Sequence, residues 1–178
     1  MHPTADLQTL VGLFYDTPAE LGQFSDVAVQ AMPVDYRELL AHTSHMTVSV
    51  EEYHRSPVDV RVLDRRVTPT HYARKILLAR KRDGAVVQYG IMRVNFDYLS
   101  PRVRAEIESE HTPLGRVLIQ HDVMRRVRLA GLWQVTPGSE LRKLFEIPSP
   151  RITYGRTAVI ECNGEPAIEL LEIVAPLE

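Results

Sequence analysis

The sequence predicts an α+β fold in which a single antiparallel sheet is flanked by short helices. Three observations predict it: alternating apolar residues over 58–67, two apolar runs joined by "RDG", and a final hairpin around Asn163–Gly164. Strands joined by short turns pair antiparallel, whereas a βαβ repeat would place a helix between successive strands.

The composition is that of an ordinary globular protein. A length of 178 residues suits one domain, so residues 1–178 are expected to form a single unit. The net charge of −2 argues against a nucleic-acid or anionic-membrane surface. No apolar run reaches the length of a membrane span, and the N-terminus lacks the pattern of a signal peptide, so we expect a cytoplasmic protein.

The first half of the chain begins with short helices. Thr17 can cap a helix over 16–24, with Pro18 at its first position and Glu20 closing a capping box. Residues 34–42 form a second short helical candidate.

The middle of the chain changes to strand periodicity. Residues 58–67 alternate, and 71–81 and 85–96 flank the Gly-containing turn "RDG". These segments predict three adjacent strands of one sheet.

Short helices are again expected between these strands and the final hairpin. Ser100 can cap a helix over 100–109, and "HTPLG" (111–115) breaks the chain. Residues 116–131 and 135–145 are then predicted to be helical.

Two charged residues lie on apolar strand faces. Glu172 alternates with Ile168, Leu170 and Val174, and Arg74 lies similarly on the second central strand. A buried charge is costly unless something pairs with it. The ordinary interpretation is a buried Arg–Glu pair or simple exposure, and the functional one is a pocket in which the arginine binds a carboxylate bidentately.

Other candidate sites are weak. The sequence has no phosphate-binding glycine loop, nucleophile elbow or zinc-protease motif. His42 and His45 could share a helix face, but a metal site would need further ligands, so no metal is expected. "MRRVR" (124–128) is typical of a solvated helix face, and the one cysteine, Cys162, is expected to be inert.

Four stretches together resemble the chorismate–pyruvate lyase family, which converts chorismate to 4-hydroxybenzoate and pyruvate. They are residues 39–62, 71–99, 111–122 and 154–176. Their order and spacing match from about residue 36 to the C-terminus and are closer to the actinobacterial-type branch, which leaves 1–35 as a divergent N-terminal segment.

The resemblance implies a chorismate lyase-like fold with an enclosed ligand pocket and no cofactor or metal. Arg74 falls on the family arginine that grips the ring carboxylate, and Glu172 falls on the glutamate facing the hydroxyl end. Met46 and Leu114 fall on turn positions whose backbone amides complete the carboxylate site, and Gly115 belongs to the same turn.

A lyase reaction is chemically plausible for such a site. Aromatisation drives the loss of pyruvate, so positioning by Arg74 and one acid–base group, Glu172, could suffice. Two positions depart from the family pattern: His45 replaces a serine, and Val48 replaces a basic residue.

Two alternatives to the lyase are open. The first is a fold relative that performs an elimination or cyclisation on another carboxylated substrate in secondary metabolism. The second is a non-catalytic small-acid-binding module, since the same fold forms the effector-binding half of certain bacterial transcription regulators. A whole regulator would also need a winged-helix domain, for which residues 1–35 are too few. In each case the expected partner is a small aromatic or pre-aromatic carboxylic acid.

Overall fold

The computed structural model describes residues 5–178 and contains one seven-stranded antiparallel sheet. Its strands are β1 (Gly22–Asp26), β2 (Val58–Val67), β3 (His71–Arg80), β4 (Val86–Asn95), β5 (Arg125–Pro137), β6 (Thr153–Cys162) and β7 (Glu165–Val174). They lie in the order β1-β5-β6-β7-β4-β3-β2. The predicted α+β class with a single antiparallel sheet is confirmed.

Seven short α-helices lie among the described residues. They are α1 (Leu7–Gly12), α2 (Pro18–Leu21), α3 (Val34–Leu40), α4 (Met46–His54), α5 (Pro101–Ser109), α6 (Leu114–Gln120) and α7 (Ser139–Leu144). The predicted caps are confirmed: the Thr17 amide donates to Glu20 at 2.9 Å, and the Ser100 hydroxyl accepts from the Val103 amide at 3.3 Å. None of these helices is long and apolar enough to span a membrane.

The prediction of a helix over 116–131 is wrong beyond Gln120. Asp122 adopts a left-handed backbone conformation with φ of 49°, and β5 begins at Arg125. β5 lies between β1 and β6 and pairs with both, so sheet hydrogen bonding outweighs the helix propensity of its Arg, Leu and Ala residues. Since β5 runs to Pro137, the helix predicted over 135–145 is confined to α7.

Two further segments differ from the expectations. The helix predicted over 16–24 ends at Leu21, and Gly22 starts the edge strand β1. A turn was expected around Met46, but that residue is the first of α4.

The sheet has two buried faces with different coverings. One face carries even-numbered residues of β3, β4, β6 and β7, including Tyr72, Met92, Ala158 and Leu170, and packs under α5 and α6. Farther along the same face, Leu78 and Tyr154 pack against α3 and α4. The opposite face carries odd-numbered residues such as Leu77, Tyr89 and Leu171 and packs against α1 and α7. Arg74 and Glu172 both lie on the even-numbered face.

The final hairpin turns as predicted at Asn163 and Gly164, whose φ angles are 53° and 84°. The pairing of β6 with β7 contains a bulge between Ile160 and Glu161. This bulge shifts the register by one residue, so that Arg156 lies directly opposite Glu172.

Candidate functional site

A cavity lies on the even-numbered face, between the sheet and the N-terminal ends of α4 and α6. Its lining includes all five site residues singled out from the sequence: Met46, Arg74, Leu114, Gly115 and Glu172. The cavity volume is about 50 Å³, which is room for a few water molecules.

Arg74 forms one end of this cavity and is 1% exposed. Its Nη1 donates to the carbonyl oxygen of Ile107 at 3.3 Å, and its buried Nε has no hydrogen-bond partner among the described residues. Within residues 5–178, no carboxylate lies within 4 Å of its guanidinium. Arg74 is therefore a buried cation that this part of the chain leaves without an ion-pair partner.

Partial charge compensation for Arg74 comes from a neighbouring pair. The Tyr72 hydroxyl donates to Glu110 at 2.6 Å, and burial together with this bond raises the pKa of Tyr72 to about 12. Burial lowers the pKa of Arg74, while Tyr72 and Glu110 act in the opposite direction. An arginine side chain stays protonated in proteins, so the cavity keeps a positive charge at this end.

Glu172 has a different partner from the one considered in the sequence. Its Oε2 accepts a hydrogen bond from Nε of Arg156 at 2.7 Å. Arg156 also donates to the carbonyl oxygens of His42 at 2.9 Å and Ser44 at 3.0 Å. The ordinary interpretation of Glu172, a buried Arg–Glu pair, is thus correct in kind, but the arginine is Arg156 and not Arg74.

Arg74 and Glu172 lie at separate positions along the cavity. Arg74 pairs in register with Met92 of β4, whereas Glu172 pairs with Gly90 of the same strand. Because β4 lies between β3 and β7, the two backbones are about 10 Å apart across the sheet. They are not in salt-bridge contact.

The roof of the cavity is formed by two helix beginnings. Met46 and Leu114 are the first residues of α4 and α6, and first-turn amides have no acceptor within their own helix. The helices approach closely at Gly115, where an added Cβ would lie 3.0 Å from the Thr47 hydroxyl and 3.1 Å from Cβ of His45.

His45 lies between two arginines at the edge of the cavity. Its Nε2 accepts a hydrogen bond from Nε of Arg125 at 2.6 Å. Burial, with smaller contributions from Arg125 and Arg156, lowers the pKa of His45 to about 4. The ring is therefore neutral at pH 7.

His42 does not join His45 in a metal site. Its Nδ1 accepts from the Ser44 amide at 3.0 Å, and its Nε2 is 2.6 Å from the carbonyl oxygen of Leu39. In the described part of the chain there is no group of three or more residues suited to hold a metal ion.

Comparisons with known proteins give structural neighbours only, since no protein-family model and no curated protein matches the chain. PhnF from Mycobacterium smegmatis superposes with a TM-score of 0.58 at 10% identity, over 75% of this chain. The possible transcriptional regulator YydK from Bacillus subtilis gives 0.46 at 12% identity over 66%, and the PhnF C-terminal domain gives 0.46 at 11% over 67%.

This chain matches only part of the length of each neighbour. The chain spans 64% of PhnF, 57% of YydK and 84% of the PhnF C-terminal domain. At 10% identity the likeness to PhnF shows a shared fold and nothing finer.

The identification as a chorismate–pyruvate lyase, and as an enzyme, is wrong. PhnF from Mycobacterium smegmatis, which superposes with a TM-score of 0.58, is not the lyase expected from the sequence. The site geometry agrees, because Glu172, the residue expected to act as the acid–base group, is held in a buried ion pair with Arg156 at 2.7 Å. The chorismate chemistry and the biosynthetic role are therefore also withdrawn.

Two buried polar residues of the cavity were missed in the sequence. Arg156 lies on the same strand face as Tyr154 and Ala158, a signal like the one that drew attention to Arg74. Gln88 is 2% exposed and lies on the cavity side of β4. Its polar side chain among apolar strand residues was the feature of the sequence that could have identified it.

Proposed function

We propose that this chain is a non-catalytic module that binds a small carboxylic acid in the cavity, with Arg74 as the counter-ion. The observation that carries the proposal is the buried Arg74 guanidinium, which has a free Nε and no carboxylate within 4 Å in residues 5–178. The proposal also draws on the fold that the chain shares with PhnF.

The energetics of burial favour an anion beside Arg74. Removing a guanidinium from water costs several kcal/mol, and an ion-pair partner with good geometry offsets much of that cost. A carboxylate suits the planar guanidinium because it can accept two parallel hydrogen bonds. The backbone amides of Met46 and Leu114, at the beginnings of the roof helices, are further donors for the same anion.

The walls of the cavity favour an acid with an apolar body. Ile76, Met92 and Leu170 line the space between Arg74 and the Arg156–Glu172 pair. An aromatic or pre-aromatic ring fits such a lining, because ligand pockets combine apolar walls with a few placed polar groups. The proposal also includes three expectations from the sequence: a chorismate lyase-like fold with an enclosed pocket, a single domain over 1–178, and a cytoplasmic setting.

The test is binding of benzoate measured by isothermal titration calorimetry. Arg74→Gln should weaken the affinity at least about tenfold, because a charge-assisted hydrogen bond contributes about 1.5–3 kcal/mol. The matched control is Arg93→Gln, since Arg93 pairs with Glu169 and does not line the cavity. The control should bind benzoate like the wild type, and equal affinities of the wild type and Arg74→Gln would overturn the proposal.

A further inference from the structure

Gln88 has a buried side-chain amide that is not fully hydrogen-bonded within residues 5–178. Its Oε1 is buried and has no hydrogen-bond partner among the described residues. An unsatisfied buried amide costs about 1–3 kcal/mol. Native proteins leave few such groups, so each one calls for a ligand or water to complete it.

The position of Gln88 places this amide at the end of the cavity opposite Arg74. On β4, Met92 pairs with Arg74, and Gln88 lies four residues before Met92. Four residues of a strand extend about 13 Å. The cavity therefore has a positive end at Arg74 and a neutral hydrogen-bonding end at Gln88.

Gly90 keeps the floor open between these two ends. An added Cβ at Gly90 would meet its nearest neighbours, in Ile76 and Leu171, at 3.5 Å, which is ordinary contact. Its φ is not in the left-handed region, so the backbone does not require glycine here. The missing side chain leaves room for a flat group that spans from Arg74 towards Gln88.

We infer that Gln88 determines specificity for an acid that carries a hydroxyl group at the end opposite its carboxylate. This inference rests on the proposed function and adds the chemistry of the second end. A hydroxyl both donates and accepts, so it can satisfy Oε1 and Nε2 in either orientation of the amide. A site with a free buried amide discriminates strongly against the analogue that lacks the matching group.

The experiment compares two pairs of acids by calorimetry. Each pair differs only in the distal hydroxyl: benzoate with 4-hydroxybenzoate, and phenylacetate with 4-hydroxyphenylacetate. In the wild type, at least one hydroxylated acid should bind about tenfold or more tightly than its parent. Gln88→Leu should remove this advantage while changing the affinity for the parent acid by less than about threefold.

Two further variants keep the comparison decisive. Gln88→Met preserves the length of the side chain and replaces Gln88→Leu if that variant does not fold. Gln134→Leu changes a strand glutamine that does not line the cavity, and it should keep the wild-type preference. Circular dichroism and thermal unfolding verify that each variant is folded.

The outcomes separate the inference from the proposed function. If the parent acids bind with dependence on Arg74 but neither hydroxyl adds affinity through Gln88, the inference is overturned and the proposed function stands. That result would assign the Gln88 amide to ordered water. If no acid binds with dependence on Arg74, the proposed function is overturned, and the inference fails with it.

Discussion

Glu172 and Arg156 form a buried ion pair across the last hairpin, with 2.7 Å between Oε2 and Nε. The Arg156 side chain is 1% exposed, and its remaining donors reach the carbonyl oxygens of His42 and Ser44. The pair therefore joins the sheet to the loop between α3 and α4, which leads into the roof of the cavity. Breaking the pair should disturb both stability and binding.

Glu172→Leu should lower the free energy of unfolding by about 3–5 kcal/mol, because it leaves Arg156 buried without its carboxylate. Urea denaturation monitored by circular dichroism measures the change. The double variant Arg156→Met/Glu172→Leu should recover part of the loss, since no charge then remains at the site. A cost below about 1 kcal/mol for Glu172→Leu would show that the guanidinium is solvated and not held by the pair.

The same pair shows what the sequence could and could not predict. The face occupied by Glu172 followed from alternation, and the turn at Asn163–Gly164 followed from its residues. The partner of Glu172 could not be predicted in this way, because a regular two-residue hairpin would place Arg156 opposite Leu171. The bulge at Ile160 and Glu161 shifts that register; Pro166, which lies opposite Glu161, is a local signal of an irregularity but does not by itself fix the register.

A second limit concerns elements whose structure depends on distant partners. Residues 125–137 were assigned mainly to helices, but they form β5 because β1 and β6 pair with them from both sides. The site residues were easier to find, because Arg74 and Glu172 are charged positions in apolar strands. The chemistry of these residues could not be predicted, because the ion pair that Glu172 forms with Arg156 depends on the folded structure.

His45 should make stability depend on pH. Its pKa is about 4 in the folded protein, below its ordinary value of 6.5, because the ring is buried and lies beside Arg125 and Arg156. Between about pH 6.5 and 4 the unfolded chain binds the proton and the folded chain does not. The stabilisation is therefore fully present above pH 6.5 and is lost as the pH falls towards 4.

The contribution of His45 should be on the order of 2–3 kcal/mol over that range. Urea unfolding of the wild type and His45→Asn at several pH values between 4 and 8 measures it. His45→Asn should flatten part of the decline and leave the part due to His42, whose pKa burial also lowers. Parallel pH profiles of the two proteins would contradict the assignment.

Arg74→Gln should change stability in the opposite direction from its effect on binding. Replacing a buried cation that has no carboxylate within 4 Å in the described chain removes a desolvation cost, so unfolding without ligand should occur at equal or higher urea concentration. With benzoate at saturating concentration, the wild type should gain stability by mass action, and the variant should gain less, by about 1.4 kcal/mol for each tenfold loss of affinity. Thermal unfolding with and without benzoate measures both effects, and equal ligand-induced shifts would contradict the role of Arg74.

Gly90 and Gly115 offer matched tests of the cavity, because one has space beside it and the other does not. Gly90→Ala should be tolerated, since its new Cβ makes only ordinary contacts at 3.5 Å. Gly90→Leu should fill the floor and abolish benzoate binding while the chain remains folded. Gly115→Ala should instead cost about 1 kcal/mol of stability, because α4 and α6 must separate to relieve contacts at 3.0 and 3.1 Å.

Calorimetry with benzoate and urea unfolding of the three glycine variants separate these effects. Unchanged benzoate affinity in a folded Gly90→Leu variant would place the binding site elsewhere. Loss of binding in Gly90→Leu, together with near-wild-type affinity in Gly90→Ala, would show that the ligand occupies the space above Gly90, between Arg74 and Gln88.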